Sequence, residues 1–159
     1  MKVENVNSFV QGAQSTLSMV SGQAGKLGNI FVKNPPYTSN GLSVIIGIVG
    51  DLQGEVIYTM DESCGLYLAS KLMAGFTVTE MDEMSISAVR EVANMISGNA
   101  ASALFSHGVK VDITPPTFVN EKQGDAFGFV TPGSKVLCMP LYLEGERIFE
   151  IGLHLKNNA

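Results

Sequence analysis

The chain has 159 residues, of which 45% are hydrophobic, and this is enough for one domain with a buried core. Its formal net charge is −5 and its ten basic residues are scattered, so a surface that neutralises nucleic-acid phosphates is not expected. The longest apolar stretch, residues 42–49, is too short to cross a bilayer, and the N-terminus lacks the pattern of a signal peptide. We expect a soluble, cytoplasmic protein that binds neither nucleic acid nor membrane.

The cysteine and histidine residues show no pattern of metal binding or nucleophilic catalysis. Cys64 and Cys138 belong to no CxxC pair, and His107 and His154 have no further ligand at metal-binding spacing. Cys64 falls in a predicted helix and Cys138 in a predicted strand, which favours packing over catalysis. We expect reduced, partly buried thiols, ordinary core or surface histidines and no metal site.

The first half of the chain begins with a predicted helix at residues 5–23, where apolar residues follow helical spacing. Two apolar runs, residues 42–49 and 55–60, flank the turn-rich sequence GDLQG and predict an antiparallel hairpin with a mostly buried first strand. A second helix is predicted at residues 62–74, and Gly75 ends it.

The second half begins with Thr79 and Asp82, which have the spacing of a capping box, ahead of a long predicted helix at residues 82–106. Pro140 interrupts one of the later strands and predicts an edge position or a bulge. The predicted strands of this half are residues 117–120, 126–130, 135–143 and 147–155.

Similar segments recur in the same order and indicate an ancient duplication with halves at about residues 1–75 and 76–159 of a single domain. Residues 18–24, SMVSGQA, align with residues 94–100, NMISGNA, and NPP at residues 34–36 resembles TPP at residues 114–116. Chance is the alternative, because matches of Gly, Pro and Ala are common. The predicted fold is α+β, with two halves that each pack an antiparallel sheet under helices.

The long predicted helix has an unusual outward face. At about 100° per residue, one stripe within roughly 40° of a common line carries small and polar residues, namely Ser87, Glu91, Asn94, Gly98 and Ala101. The opposite, buried face carries Val89, Val92, Ala93, Ile96, Ala100 and Ala103. Such a stripe is most simply a solvated surface, and Gly98 could simply make room for a loop of the same chain. Small residues would also allow another protein to approach closely.

Ser87, Glu91 and Asn94, followed by MISGNA and a distant proline, resemble the signature of the CheC/CheX/FliY family of chemotaxis phosphatases. The proline is Pro116 or Pro115, one or two residues short of the usual spacing. The total length, the duplicated order of helices and strands and the hairpins are also similar across almost all of the chain. CheC-like members usually keep two Glu/Asn sites, whereas a single site in the second half is similar to the CheX-like members.

The resemblance implies a CheC-like fold and hydrolysis of the phospho-aspartate of a CheY-like response regulator in chemotaxis or another two-component pathway. It implies Glu91 and Asn94 as catalytic residues, with Asn94 orienting water and Glu91 pairing with a receiver lysine. The residues expected to contact the partner are Ser87, Arg90, Gly98 and Pro116. Ser87 could instead hydrogen-bond Glu91, and Arg90 could be solvated. The resemblance also implies a homodimer with no cofactor of its own, and Mg²⁺ supplied by the response regulator.

A second hypothesis is a non-catalytic module of the same fold that binds a receiver or a flagellar-switch component through the same helix face. The presence of both Glu91 and Asn94 favours catalysis. A small-molecule enzyme has no support, because the sequence has no phosphate-binding glycine loop, metal constellation or catalytic triad.

Overall fold

The computed structural model describes residues 2–34, 41–121 and 135–156, and the strand predicted at residues 126–130 lies outside these ranges. Three helices are described, and all three were predicted: α1 (Val3–Ser21), α2 (Glu62–Leu72) and α3 (Glu83–Ser106). The described strands are β1 (Lys26–Leu27), β2 (Phe31–Lys33), β3 (Leu42–Gly50), β4 (Gly54–Met60), β5 (Val111–Ile113), β6 (Thr117–Asn120), β7 (Val136–Leu143) and β8 (Arg147–Leu155). A short 3₁₀ turn, Glu144–Glu146, joins β7 to β8.

The described strands form one antiparallel sheet in the order β1-β7-β8-β4-β3-β5, in which β2 also pairs with β7 and β6 with β3. The predicted hairpins β3–β4 and β7–β8 are both present, and they join through the pairing of β4 with β8. The α+β fold class with an antiparallel sheet under long helices is therefore confirmed. The three short strands β1, β2 and β5 were not predicted.

The two halves have matching topology. The order α1-β1-β2-β3-β4 is followed by α2 and then by the order α3-β5-β6-β7-β8. Strands β1 and β2 pair with β7 of the other half, and β5 and β6 pair with β3 in the same way. This exchange of short strands supports a duplication, which stays a prediction.

The two outer edges also share one irregularity. Between β1 and β2, three residues (28–30) lie opposite two residues of β7, because Leu27 pairs with Leu141 and Phe31 with Cys138. Between β5 and β6, residues 114–116 lie opposite two residues of β3 in the same manner. Both are bulges with one extra residue. The TPP sequence at residues 114–116 thus corresponds topologically to residues 28–30, whereas the NPP sequence that the motif alignment matched to it extends outside the described residues.

The motif alignment of the helices also differs from the structural match. Helix α1 ends at Gly22 and α3 is followed by Gly108, and both glycines have a left-handed φ of 81° ahead of a short strand. The motif alignment paired Gly22 with Gly98, which lies inside α3. The motif alignment makes Ser15 and Ser18 the counterparts of Glu91 and Asn94. With Gly22 matched to Gly108, the counterparts are instead Asn5 and Ser8, both buried.

Pro140 lies inside the sheet and not on an edge strand, since β7 pairs with β8 on one side and with β1 and β2 on the other. Its pairing with Glu150 of β8 belongs to an uninterrupted register, so β7 itself has no bulge there. The Pro140 carbonyl accepts a hydrogen bond from Gly28 N, in the outer bulge, at 2.9 Å. The missing N–H faces the same side, where the neighbouring strand is interrupted, so no ladder hydrogen bond is lost.

The main core lies between the helices and one face of the sheet. Phe9 and Leu17 of α1 and Ile96 of α3 pack in one cluster with alternate residues of β3, β4, β7 and β8. The opposite face of the sheet carries a smaller cluster of Ile57, Val136 and Cys138. Side chains on this second face alternate with those of the main core, as the two-residue period of a β-strand requires.

Both cysteines are free and buried, which agrees with the prediction of packed thiols. Burial raises the pKa of Cys64 and of Cys138 to about 12 in each case, so both remain protonated near neutral pH and are poor nucleophiles. Within the described ranges, no group of three or more His, Cys, Asp or Glu side chains could hold a metal ion. No described helix combines the length and apolar character needed to span a membrane.

Candidate functional site

Helix α3 begins at a cap made by Asp82. The Asp82 carboxylate accepts hydrogen bonds from the Ser85 backbone N–H at 2.9 Å and from the Ser85 hydroxyl at 2.8 Å. The Ser85 hydroxyl also lies 3.0 Å from the Glu80 carbonyl. The predicted capping box, in which Thr79 would be the capping residue, is therefore wrong. The capping residue is Asp82, three residues later.

We predict that the Asp82 cap makes stability sensitive to acid. The Ser85 N–H, followed by the Ser85 hydroxyl, lowers the pKa of Asp82 below its ordinary value. A carboxyl with a lowered pKa in the folded state stabilises the fold above its unfolded pKa of about 3.9, and this contribution is lost as the pH falls through the folded pKa. Asp82→Ala should lower the urea midpoint at pH 7 by more than at pH 3. An equal loss at both pH values would contradict this prediction, and Asp82→Asn, which keeps an acceptor, is the matched control.

The inward face of α3 is held by two side-chain hydrogen bonds from within the MISGNA segment. The hydroxyls of Ser97 and Tyr58 lie 2.7 Å apart in the core, and burial raises the pKa of Tyr58, so this phenol stays protonated. Asn99 donates to the Thr16 hydroxyl of α1 at 2.8 Å. These contacts connect α3 to β4 and α1, and they fix its rotation about its own axis.

Glu91 and Asn94 project from the opposite side of α3. Glu91 is exposed and Asn94 half-buried, whereas the predicted inward residues of α3 are buried except for the half-buried Ala103. Within the part of the chain that the structure describes, neither Glu91 nor Asn94 makes a side-chain hydrogen bond or ion pair. The pair is therefore a rigidly mounted carboxylate and carboxamide with free hydrogen-bonding capacity.

The predicted proline lies beside this pair. An open cavity of about 290 Å³ is lined by Ser87, Arg90, Glu91, Asn94, Pro115 and Pro116. The structure thus brings both candidate prolines to the helix face, with Pro116 half-buried and Pro115 exposed. The proline loop is the bulge between β5 and β6, so its position is set by the sheet.

Thr114 attaches the proline loop to β3. Its backbone N–H donates to the Gly47 carbonyl at 3.0 Å, and its hydroxyl accepts from Gly47 N at 2.8 Å. A Cβ at Gly47 would meet the Thr114 side chain at 2.9 Å, so glycine is needed for this approach. No role was predicted for Thr114, although a threonine directly before two prolines in a predicted loop indicates a residue that fixes the loop.

The remaining predicted contact residues occupy the same surface. Ser87 and Arg90 are exposed and line the cavity, and no hydrogen bond joins Ser87 to Glu91 in the structure. A Cβ added at Gly98 would meet no described atom within 4 Å. Gly98 therefore does not make room for a loop among the described residues, and its surface is open to a visiting molecule.

The Glu91 carboxylate and the Asn94 carboxamide can accept hydrogen bonds from a group on another molecule, and Asn94 can also donate to it. The surface that carries them is formed by α3 and the proline loop. This fold, an antiparallel sheet under long helices, is that of the CheC-like proteins. The sequence profile of chemotaxis phosphatase CheX matches residues 42–128. The chain belongs to this family.

Three further similarities extend over nearly the whole chain. The CheY-P phosphatase CheX of Thermotoga maritima is 29% identical over 159 residues, which is 100% of both proteins. A complex of CheX with CheY, BeF₃ and Mg²⁺ from Borrelia burgdorferi matches with a TM-score of 0.81 and 28% identity, over 98% of this chain and 100% of that chain. A CheC-like superfamily protein from Shewanella sp. PV-4 has a TM-score of 0.84 at 23% identity, over 99% of this chain and 100% of that one, and shows the likeness of fold.

Proposed function

We propose that this protein is a phosphatase that hydrolyses the phospho-aspartate of a CheY-like response regulator in cytoplasmic chemotaxis signalling. The observation that carries the proposal is the outward face of α3 in a member of the CheX family, where Glu91 and Asn94 have no side-chain partner among the described residues. The similar Thermotoga protein is named a CheY-P phosphatase, and the similar Borrelia protein forms a complex with CheY. The homodimer implied by the resemblance is part of the same proposal.

Asn94 positions the attacking water. A carboxamide offers both an acceptor and donors, so one end can hold a water molecule while the other orients it against the phosphoryl group. Placing water in line with the breaking bond is the main requirement of this hydrolysis, since the transition state needs little covalent help from a protein. A hundredfold acceleration corresponds to about 2.7 kcal/mol of transition-state stabilisation, within the reach of one well-placed group.

Glu91 pairs with the receiver. An ionised carboxylate accepts hydrogen bonds only, so a cationic lysine at the receiver active site is a suitable partner. This contact sets the angle at which α3 approaches and leaves Asn94 as the residue nearest the reacting atoms. The receiver supplies the lysine, the phosphoryl group and its Mg²⁺, in keeping with the Mg²⁺ present in the Borrelia complex.

The surrounding residues admit and shape the receiver surface. Gly98, whose Cβ position is open, allows the receiver backbone to approach α3 closely. Pro116 forms the wall beside the pair, and Ser87 and Arg90 contact the receiver at the rim of the cavity. Ser87 is available for this role because it makes no hydrogen bond to Glu91.

The decisive experiment is to add the purified protein to a phosphorylated receiver from the same organism and follow the loss of phosphate. We expect decay at least about a hundredfold faster than the receiver alone at saturating protein, the rate change that corresponds to about 2.7 kcal/mol. Unchanged decay together with stable binding would overturn the phosphatase assignment and favour the non-catalytic receiver-binding or flagellar-switch module. Bovine serum albumin at the same concentration controls for nonspecific effects on the receiver.

A further inference from the structure

Helix α3 exposes two large apolar side chains, Met84 near its start and Phe105 near its end. Each has a relative exposure of 68%, whereas Val89, Val92, Ile96 and Leu104 of the same helix are buried at 1% or less. Single exposed apolar residues are common on protein surfaces, and Phe76 and Met19 are exposed to a similar degree, but Met and aromatic residues are enriched at protein interfaces. What distinguishes Met84 and Phe105 is their position on α3 relative to the Glu/Asn pair.

Both side chains lie on the side of α3 that carries the Glu/Asn pair. At about 100° per residue, Met84 is about 20° from Glu91 around the helix axis, and Phe105 is about 20° from Asn94. The residues between them on this side are small or polar, and Gly98 leaves its surface open. The apolar residues and the proposed catalytic pair thus form one continuous strip.

Asn94 stands near the midpoint of this strip. At about 1.5 Å of rise per residue, Met84 lies about 15 Å before Asn94 and Phe105 about 17 Å beyond it. A domain of about 100 residues has a radius of gyration near 13 Å, which corresponds to a sphere of about 17 Å radius. Met84 and Phe105 are therefore about 32 Å apart along the axis, close to the diameter of about 34 Å of that sphere, so a receiver that contacts both must follow α3 along its length.

We propose that Met84 and Phe105 dock the response-regulator receiver on either side of the Glu/Asn pair. This inference rests on the proposed function, because the occupant is the same receiver that presents its phospho-aspartate to Asn94. The two contacts define the direction in which the receiver lies along α3, and they hold it while water attacks. Met84 and Phe105 contribute to the affinity for the receiver, and Asn94 contributes to the rate of phosphate loss.

Charge cannot easily supply that affinity. The chain has a formal net charge of −5, and a receiver active site built from carboxylates is also acidic. Among the described residues that line the cavity, Arg90 is the only cation. Burial of two apolar side chains at the ends of the strip gives attraction that is insensitive to salt, and apolar contacts of this kind carry much of the free energy in protein interfaces.

The test measures binding and turnover separately. We expect Met84→Ser and Phe105→Ser each to weaken binding of a receiver carrying beryllofluoride about five- to tenfold, and the double variant to multiply these losses. In turnover assays, KM for the phosphorylated receiver should rise by the same factors, while kcat stays within about twofold. The matched control is Ile148→Ser, an exposed apolar residue of β8 at 45% exposure, on a strand position alternate to the core residue Phe149.

The outcomes separate this inference from the proposed function. If the wild type speeds phosphate loss but neither serine variant changes KM or binding, the docking inference is wrong and the phosphatase assignment stands. If the wild type binds the receiver without speeding phosphate loss, and the variants lose binding, the docking inference stands and the phosphatase assignment falls. Equal losses in Ile148→Ser, or lowered urea midpoints in the α3 variants, would show a general structural effect and overturn the inference.

Discussion

Asn94→Ala is expected to slow the protein-stimulated loss of phosphate from the receiver about a hundredfold at saturating protein, which is a loss of about 2.7 kcal/mol of transition-state stabilisation. The carboxamide has no partner within the described chain, so its removal leaves no buried group unpaired and should not change the fold. The loss should appear in kcat, because the interaction with the attacking water is made in the transition state. The measurement is single-turnover decay of the phosphorylated receiver.

Asn7→Ala is the matched control, since Asn7 is an exposed asparagine on the neighbouring helix α1 and makes no side-chain hydrogen bond in the described chain. It should leave the rate unchanged. Binding of Asn94→Ala to the receiver carrying beryllofluoride should stay within about twofold to threefold of the wild type, because Glu91 and the apolar contacts remain. If Asn94→Ala accelerates decay as well as the wild type does, Asn94 does not position the water.

Gly12→Ala is expected to destabilise the fold by about 2 kcal/mol, although alanine is intrinsically the better helix residue. A Cβ at Gly12 would lie 2.8 Å from Ala100 N and 2.9 Å from the Ile96 carbonyl oxygen. Both atoms belong to the backbone of α3, so helices α1 and α3 would have to move apart, and overpacking of this kind typically costs about 1–3 kcal/mol. Urea unfolding followed by circular dichroism measures the change.

Gly98→Ala is the matched comparison, because Gly98 is also a mid-helix glycine but its Cβ would meet no described atom within 4 Å. Alanine there should stabilise the fold by about 0.5–1 kcal/mol through helix propensity. The same substitution should weaken receiver binding, because it adds a methyl group where the receiver approaches. Unchanged stability in Gly12→Ala would show that α1 and α3 do not pack as described, and a loss of stability in Gly98→Ala would show that its Cβ position is not open.

The long elements of the fold could be predicted because their apolar pattern is repeated over many residues. Helix α3 and the hairpins β3–β4 and β7–β8 each bury one regular face, and this periodicity is present in the local sequence. The short strands β1, β2 and β5 have two or three residues each, and most of their pairing partners lie in the other half of the chain. No local pattern can indicate such strands.

Three details were predicted incorrectly because each depends on the folded chain: the place of Pro140 in the sheet, the alignment of the two halves and the capping residue of α3. The Pro140 position depends on an interruption in a neighbouring strand, which is a property of the folded sheet. The match of Gly22 to Gly98 followed from the similarity of two short sequence segments, SMVSGQA and NMISGNA. The backbone conformations instead match Gly22 to Gly108, because both have a left-handed φ. Thr79 and Asp82 are both good capping residues, and only the folded chain shows that Asp82 accepts from the Ser85 N–H.

The candidate site was predicted from helical spacing together with the family resemblance, and spacing alone favoured a solvated surface. The structure places Ser87, Arg90, Glu91, Asn94 and Pro116 around one cavity. The residues that hold α3 in place, Ser97 and Asn99, were not predicted because their partners Tyr58 and Thr16 are distant in sequence. Contacts of this kind depend on tertiary packing and leave no trace in periodicity.

The burial of Asn5 and Ser8 bears on stoichiometry. These are the topological counterparts of Glu91 and Asn94, and they face the protein interior, where the Ser8 hydroxyl donates to the Glu4 carbonyl at 2.9 Å. If the halves arose by duplication, one copy of the helix became a structural support while the other kept an outward face. Under the proposed function, each polypeptide then presents one Glu/Asn site and serves one phosphorylated receiver at a time.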